Sequence, residues 1–154
     1  MDHQEVIDTL NDPLAQELLH SDIPARLAYT GLDGFPRVIP IGFYWNGAEF
    51  IMATSTKAPK LRALSAHPKV ALTIDTVTSP PKVLMVRGSV RFEIVEGVPW
   101  EYLQGSSTEM PSEQAQEFEK QVRATYKQMA RIAITPEWAK VFDFVTRSPS
   151  VTQG

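Results

Sequence analysis

Apolar and polar positions alternate with a period of two in several short runs of this chain. Arg26–Thr30, Arg37–Trp45, Glu49–Thr54, Val70–Asp75, Val83–Val95 and Lys140–Val145 read as strands. Asp33-Gly34 and Asn46-Gly47 mark tight turns between the first three, and both residues of an Asn-Gly turn favour positive φ. Pro40 interrupts the second run. Proline gives no N–H to a ladder, so Pro40 predicts an edge, a bulge or a strand facing a ligand. Gly88 predicts a bend or bulge in the fifth run.

Helical periodicity is confined to three regions. Asp12-Pro13 is an N-cap followed by proline at the first helical position, with Leu14, Leu18 and Leu19 on one face. Pro59 opens a second helix that buries Leu61 and Leu64 and stops at His67-Pro68. Trp100–Leu103 suggests a helical turn and Gly105–Pro111 a polar loop. Ser112 then caps a helix to about Arg131, with Ala115, Phe118, Val122, Tyr126 and Met129 on its apolar face. Short strands, tight turns and few intervening helices favour a small antiparallel barrel. A chain of 154 residues suits one domain, 1–154. It divides into a barrel core at 24–95, a helical insert at 97–131, a last strand at 138–147 and a loose tail at 148–154.

Composition narrows the chemistry. There is no cysteine, which excludes disulfides, thiolate metal sites and a cysteine nucleophile. The net charge of −3 argues against a nucleic-acid partner. No apolar run reaches the roughly 18 residues of a membrane span. The acidic start lacks the pattern of a secretory signal, so a cytoplasmic protein without a membrane partner is expected. The three histidines have no metal-ligand spacing, and no nucleophile elbow, P-loop or dinucleotide fingerprint is present. No catalytic side chain is marked, so an enzyme of this sequence would depend on a cofactor for its reactivity.

The chemistry-bearing stretch is Arg37–Val70. Ile39, Ile41, Phe43 and Trp45 share one face of its first strand; Val38, Pro40, Gly42 and Tyr44 share the other. Both faces are largely apolar, which fits either a buried central strand or a wall with one face on a planar ligand. Lys57, Lys60 and Arg62 gather at the next helix start, beside the Ser55 and Thr56 hydroxyls. That is either an anion site or an ordinary solvated helix start.

The ordered series Ala28-Tyr29-Thr30, Asp33-Gly34-Phe35-Pro36-Arg37, Thr54, Lys60 and Pro68-Lys69-Val70, followed by Val86-Arg87-Gly88-Ser89-Val90, resembles the pyridoxamine 5′-phosphate oxidase-like split-barrel proteins. The resemblance covers about residues 24–95. It implies a mainly β fold with flanking helices: a six-stranded antiparallel split barrel, homodimeric, with flavin mononucleotide (FMN) at the dimer interface. By position Lys60 and Arg37 would hold the phosphate, helped by Thr54, Ser55 and Arg62, and Val38, Ile39, Pro40 and Ile41 would line the isoalloxazine ring. The substrate-phosphate signature of the true oxidases is absent, so the vitamin substrate is not implied. Lys60-Leu61-Arg62-Ala63-Leu64 is similar to relatives that use a deazaflavin. Some split-barrel relatives handle haem, but no axial ligand is marked here. The expectation is an FMN-dependent oxidoreductase acting on a small molecule, with a deazaflavin-dependent reductase or a non-catalytic flavin carrier or sensor as alternatives.

Overall fold

The computed structural model describes residues 1–107 and 110–148; residues 149–154 of the expected loose tail lie outside them. Two short helices open the chain. α1 (His3–Leu10) starts at a capping box in which Asp2 and Glu5 satisfy each other's backbone N–H. α2 (Pro13–Leu19) starts as predicted, with Asp12 Oδ1 accepting from Leu14 N at 2.9 Å. Then come β1 (Ala25–Thr30), β2 (Pro36–Ile41), β3 (Tyr44–Trp45) and β4 (Phe50–Thr54), α3 (Lys60–Ala66), β5 (Lys69–Asp75) and β6 (Val83–Glu96). α4 (Trp100–Ser107), α5 (Ser112–Thr125) and β7 (Gln128–Phe142) complete it.

The strands form one antiparallel sheet in the order β2-β1-β5-β6-β7-β4-β3. β2 and β3 lie at opposite ends of that order, yet only Gly42 and Phe43 separate them in sequence. The sheet must therefore curl until its two edges meet near this crossing. They come together without pairing, which makes an open, split barrel.

The crossing corrects the expected single strand Arg37–Trp45 and makes seven strands rather than six. Phe43 turns inward at the break and packs edge-on against Phe50, with ring centroids 5.4 Å apart. The following hairpin also differs from a two-residue turn. Its loop spans residues 46–49, and only Gly47 takes positive φ (97°). Asn46 acts through its side chain, accepting from Ala48 N at 2.9 Å and Glu49 N at 2.8 Å.

The predicted bulge is present: pairing of β6 with β7 shifts between Arg87 and Gly88, opposite Pro136. Gly88 is also a close approach, since a Cβ there would run into the Thr135 carbonyl. The C-terminal third departs most from expectation. α4 continues through Gly105 where a polar loop was expected. The residue before α5 is Pro111, and Ser112 makes no side-chain cap. α5 ends at Thr125, Tyr126 is extended, and Met129–Arg131 belong to β7 rather than to the helix. The last strand is thus Gln128–Phe142 in place of 138–147. β7 pairs with β4 on one side and β6 on the other, and Ala130, Ile132, Ala133 and Ile134 are all fully buried. A strand covered on both faces loses its alternation, so this stretch carries no period-two signal.

Leu27, Phe50, Leu72, Ile74, Leu84, Ile132 and Ile134 fill the barrel, sealed by Leu18 of α2 and Leu64 of α3. Each such side chain contributes roughly 1.5–3 kcal/mol of burial. A smaller cluster of Ala53, Val98, Val122 and Met129 seats α4 and α5, with Tyr102 and Phe118 packed on it. No helix among the described residues is long and apolar enough to cross a membrane.

Candidate cofactor site

β2 is the sheet edge that Pro40 predicted. Gly31 N donates to Phe35 O at 2.9 Å, which sets the register of hydrogen bonding in the β1–β2 hairpin. Odd-numbered residues of β2 face β1 with their backbone groups, and even-numbered ones point away. Pro36 and Pro40 occupy outward positions, where no ladder bond is lost. The free edge therefore carries the carbonyls of Pro36, Val38 and Pro40 but only one N–H, that of Val38. Such an edge does not template another strand, and it offers acceptors to a ligand. The side chains divide likewise: Val38 is 69% exposed and Pro40 is exposed, while Ile39 and Ile41 pack against the core.

Arg37, the second residue of this strand, turns back on its own loop. Its Nη2 lies 2.9 Å from Asp33 Oδ2, its Nη1 donates to Phe35 O at 3.0 Å, and its guanidinium lies against Gly31. The hydrogen bond from Arg37 holds the Asp33 carboxyl below its ordinary range, helped by the Phe35 N–H, and raises the Arg37 pKa in return.

The second part follows Thr54, the last residue of β4, paired with Ala130 of β7. Ser55 Oγ accepts from Lys57 N at 3.2 Å, and Ala58 N bonds Ser55 O at 3.1 Å, so the chain turns tightly into α3. Leu61, Ala63 and Leu64 anchor that helix. Lys60 in its first turn is half-buried, and desolvation pushes its pKa below the ordinary lysine value. Most cations around the sheet have carboxylates: Arg26 with Asp75, Lys69 with Glu137, Lys82 with Glu17, Arg91 with Glu49, Arg147 with Asp12. Among the described residues no carboxylate lies within 4.0 Å of Lys57, Lys60 or Arg62. A cation that is partly desolvated without a counter-charge is costly, and a bound anion relieves that cost.

Thr54, Ser55, Lys60 and Arg62 follow one another along the segment that runs from the end of β4 into the first turn of α3. Arg37 is paired with Asp33, and among the described residues no hydrogen bond or ion pair joins it to that segment. Val38–Ile41 form the edge of the strand beside β1, against which α3 packs. An ammonium, a guanidinium and hydroxyls are phosphate-binding groups, so the donor set fits a phosphorylated cofactor.

Sequence reasoning missed the part played by α4. Gly105 of α4 meets the crossing backbone to backbone: a Cβ there would lie 2.7 Å from Phe43 O. Trp100 lies edge-on to Tyr44 at 4.9 Å. The buried Glu101 carboxylate is bonded by Arg131 Nε at 3.1 Å, which ties α4 to β7. α4 therefore closes over the place where the two sheet edges part.

Residues 12–149 match the family described as pyridoxamine 5′-phosphate oxidase, nine-tenths of the chain. The chain belongs to the pyridoxamine 5′-phosphate oxidase family. Within solved structures it is similar to an F420 reductase (TM-score 0.57, 23% identity, 81% of this chain and 94% of that one). It is similar to general stress protein 26 from Bacillus anthracis (TM-score 0.61, 16% identity, 84% and 92%). The haem storage protein HutZ from Vibrio cholerae aligns with a TM-score of 0.57 at 17% identity, over 86% and 93%. At these identities the likeness is one of fold. No curated protein matches the chain. Membership of the oxidase family agrees with the open seven-stranded antiparallel sheet and its flanking helices.

Proposed function

We propose that the protein is a homodimeric flavin-dependent oxidoreductase that binds FMN, with its phosphate at the Ser55–Arg62 turn and its ring along the outer edge of β2. The observation that carries this reading is Lys60, half-buried and, among the described residues, without a carboxylate within 4.0 Å. Lys60 supplies the charge for the phosphate; Arg62 and the Ser55 hydroxyl, which accepts from Lys57 N and keeps its own proton to donate, complete the set. The carbonyls along β2 accept from the ring's N–H, and Val38 and Pro40 present an apolar surface to it. Bound flavin supplies hydride chemistry; the chain supplies shape, counter-charge and shelter from water.

Two exposed apolar side chains of the β1–β2 turn, Leu32 at 61% and Phe35 at 68%, adjoin Val38 and support a second copy of the chain covering this edge. The second reading is a deazaflavin in the same place, supported by the Lys60-Leu61-Arg62 spacing and by the likeness to an F420 reductase.

Titrating the purified protein with FMN and with a deazaflavin, followed by absorbance and calorimetry, tests both. Binding of either at micromolar concentration is expected, with Lys60→Ala weakening it by about 1–3 kcal/mol. No binding of either at high micromolar concentration, or an unaltered affinity in Lys60→Ala, refutes the assignment. Rapid mixing of the loaded protein with reduced nicotinamide cofactors separates an enzyme, which exchanges electrons, from a carrier, which does not.

A further inference from the structure

A separate cavity, of about 220 Å³, lies between α1 and the β3–β4 hairpin. An apolar cavity of roughly 150 Å³ is enough to take up benzene, so this one has room for one ring or two fused rings. Val6 and Leu10, one helical turn apart on α1, line it together with Trp45 and Pro136, and all four are buried. His3, Ile7 and Asn11 make the adjacent row of the helix and complete that wall. No Asp, Glu, Lys or Arg is among the lining residues, and none of the residues assigned to the cofactor is. The polar groups around it are few, and most are unspent. Trp45 is 6% exposed, yet its indole N–H makes no hydrogen bond among the described residues and is not sealed from solvent. The Asn11 amide and the His3 ring likewise have no partner among the described residues. Thr135 differs, since its hydroxyl donates to Glu49 Oε2 at 2.7 Å. An apolar floor with a few polar groups at its rim is the usual make-up of a small-molecule site.

We infer that this cavity binds a small neutral aromatic molecule carrying one hydrogen-bonding group, a phenol or an indole by class, and that Asn11 selects for that group. Charge separates it from the proposed phosphate site: a carboxylate or phosphate placed here would lose water and find no cation. The buried floor takes the ring. The Asn11 amide both donates and accepts, so it serves a hydroxyl or a ring N–H alike. The helix end holds Asn11 for this task. Its backbone N–H closes α1 on Ile7 O at 2.9 Å, which fixes the residue while its side chain stays unengaged. A mere packing gap between a helix and a hairpin would take up any apolar solute of the right size and would not discriminate by hydrogen bonding. The inference stands independently of the cofactor reading.

Titrating the isotope-labelled full chain with phenol, indole, benzene and benzoate, followed by its N–H resonances, decides between the two. Phenol or indole is expected to shift the Trp45 indole and Asn11 side-chain signals saturably, with benzene and benzoate binding about threefold more weakly or worse. Asn11→Ala should weaken the phenol or indole by about three- to tenfold, the scale of one net hydrogen bond, and leave benzene unchanged. Ile7→Trp fills the cavity and should abolish binding of all four. The Asn11 side chain is exposed and unbonded, so Asn11→Ala keeps the fold and carries the test alone should Ile7→Trp not fold. No saturable shift with phenol or indole at millimolar concentration overturns the inference. So does benzene or benzoate binding as tightly as they do, or an unaltered affinity in Asn11→Ala. Binding that persists in a folded Ile7→Trp puts the ligand elsewhere and overturns it as well.

Discussion

Glu101 and Arg131 allow a sharp test of how α4 is held over the barrel's split. Their side chains are 6% and 23% exposed, with Arg131 Nε 3.1 Å from Glu101 Oε1 and Nη2 3.3 Å from Oε2. The pair is asymmetric. Arg131 keeps a second carboxylate, Glu93, at 3.8 Å, and some contact with water. Among the described residues Glu101 has only Arg131. Arg131→Met therefore strands a buried carboxylate, which costs roughly 3–5 kcal/mol. Glu101→Gln leaves an amide oxygen still able to accept, and Arg131 turns toward Glu93, so the loss is about 1 kcal/mol. For a chain of this size about 2–4 °C of Tm accompanies each kcal/mol. Arg131→Met should then melt roughly 6–20 °C lower and Glu101→Gln roughly 2–4 °C lower. Urea unfolding measures both, and hydrogen exchange places the loss: amides of residues 100–107 should exchange faster, together with Phe43, which α4 covers. Equal losses in the two variants, or a loss under about 1 kcal/mol in Arg131→Met, would refute the asymmetry and with it the view that a buried carboxylate fixes α4.

Two further outcomes follow from the structure. Gly105→Ala should destabilise the protein by about 1–3 kcal/mol in urea unfolding, despite alanine's advantage of about 1 kcal/mol in a helix, because the new Cβ meets Phe43 O at 2.7 Å; a stabilised variant would show that α4 does not sit on the crossing. On acidification, Asp143, held low first by the Arg147 N–H and then by the Thr146 hydroxyl, and Asp12, held low first by the Arg147 guanidinium, have folded pKa values below their unfolded ones. Their contribution is therefore fully present above about pH 4 and lost as pH falls through the lower folded values; Asp143→Asn should flatten that limb of a stability–pH curve, and an unchanged limb would remove Asp143 from the account.

What the chain revealed of this fold in advance was its local chemistry. Pro40 announced an edge because a proline's missing N–H is a property of one residue. Gly88 announced a bulge, and Asp12-Pro13 a helix start, for similarly local reasons. The break at Gly42–Phe43 was illegible because it depends on where β1 and β4 lie, and those strands sit near opposite ends of the sheet. β7 was misread because burial on both faces erased its alternation, so Met129 matched a helical period by coincidence of spacing. The site divides in the same way. Lys57, Lys60 and Arg62 were visible as a basic group, but apart from the family resemblance nothing in their spacing distinguishes them from Arg26, Lys69 or Arg147. The distinction arises on folding, when carboxylates 49, 68 and 135 positions away reach those three cations. The fold neutralises the cations its own structure needs. Among the described residues it leaves Lys57, Lys60 and Arg62 without a carboxylate within 4.0 Å, and Lys60 is half-buried besides. Under the proposed function, a partly buried cation without an internal counter-charge is what would set this turn apart from an ordinary basic surface.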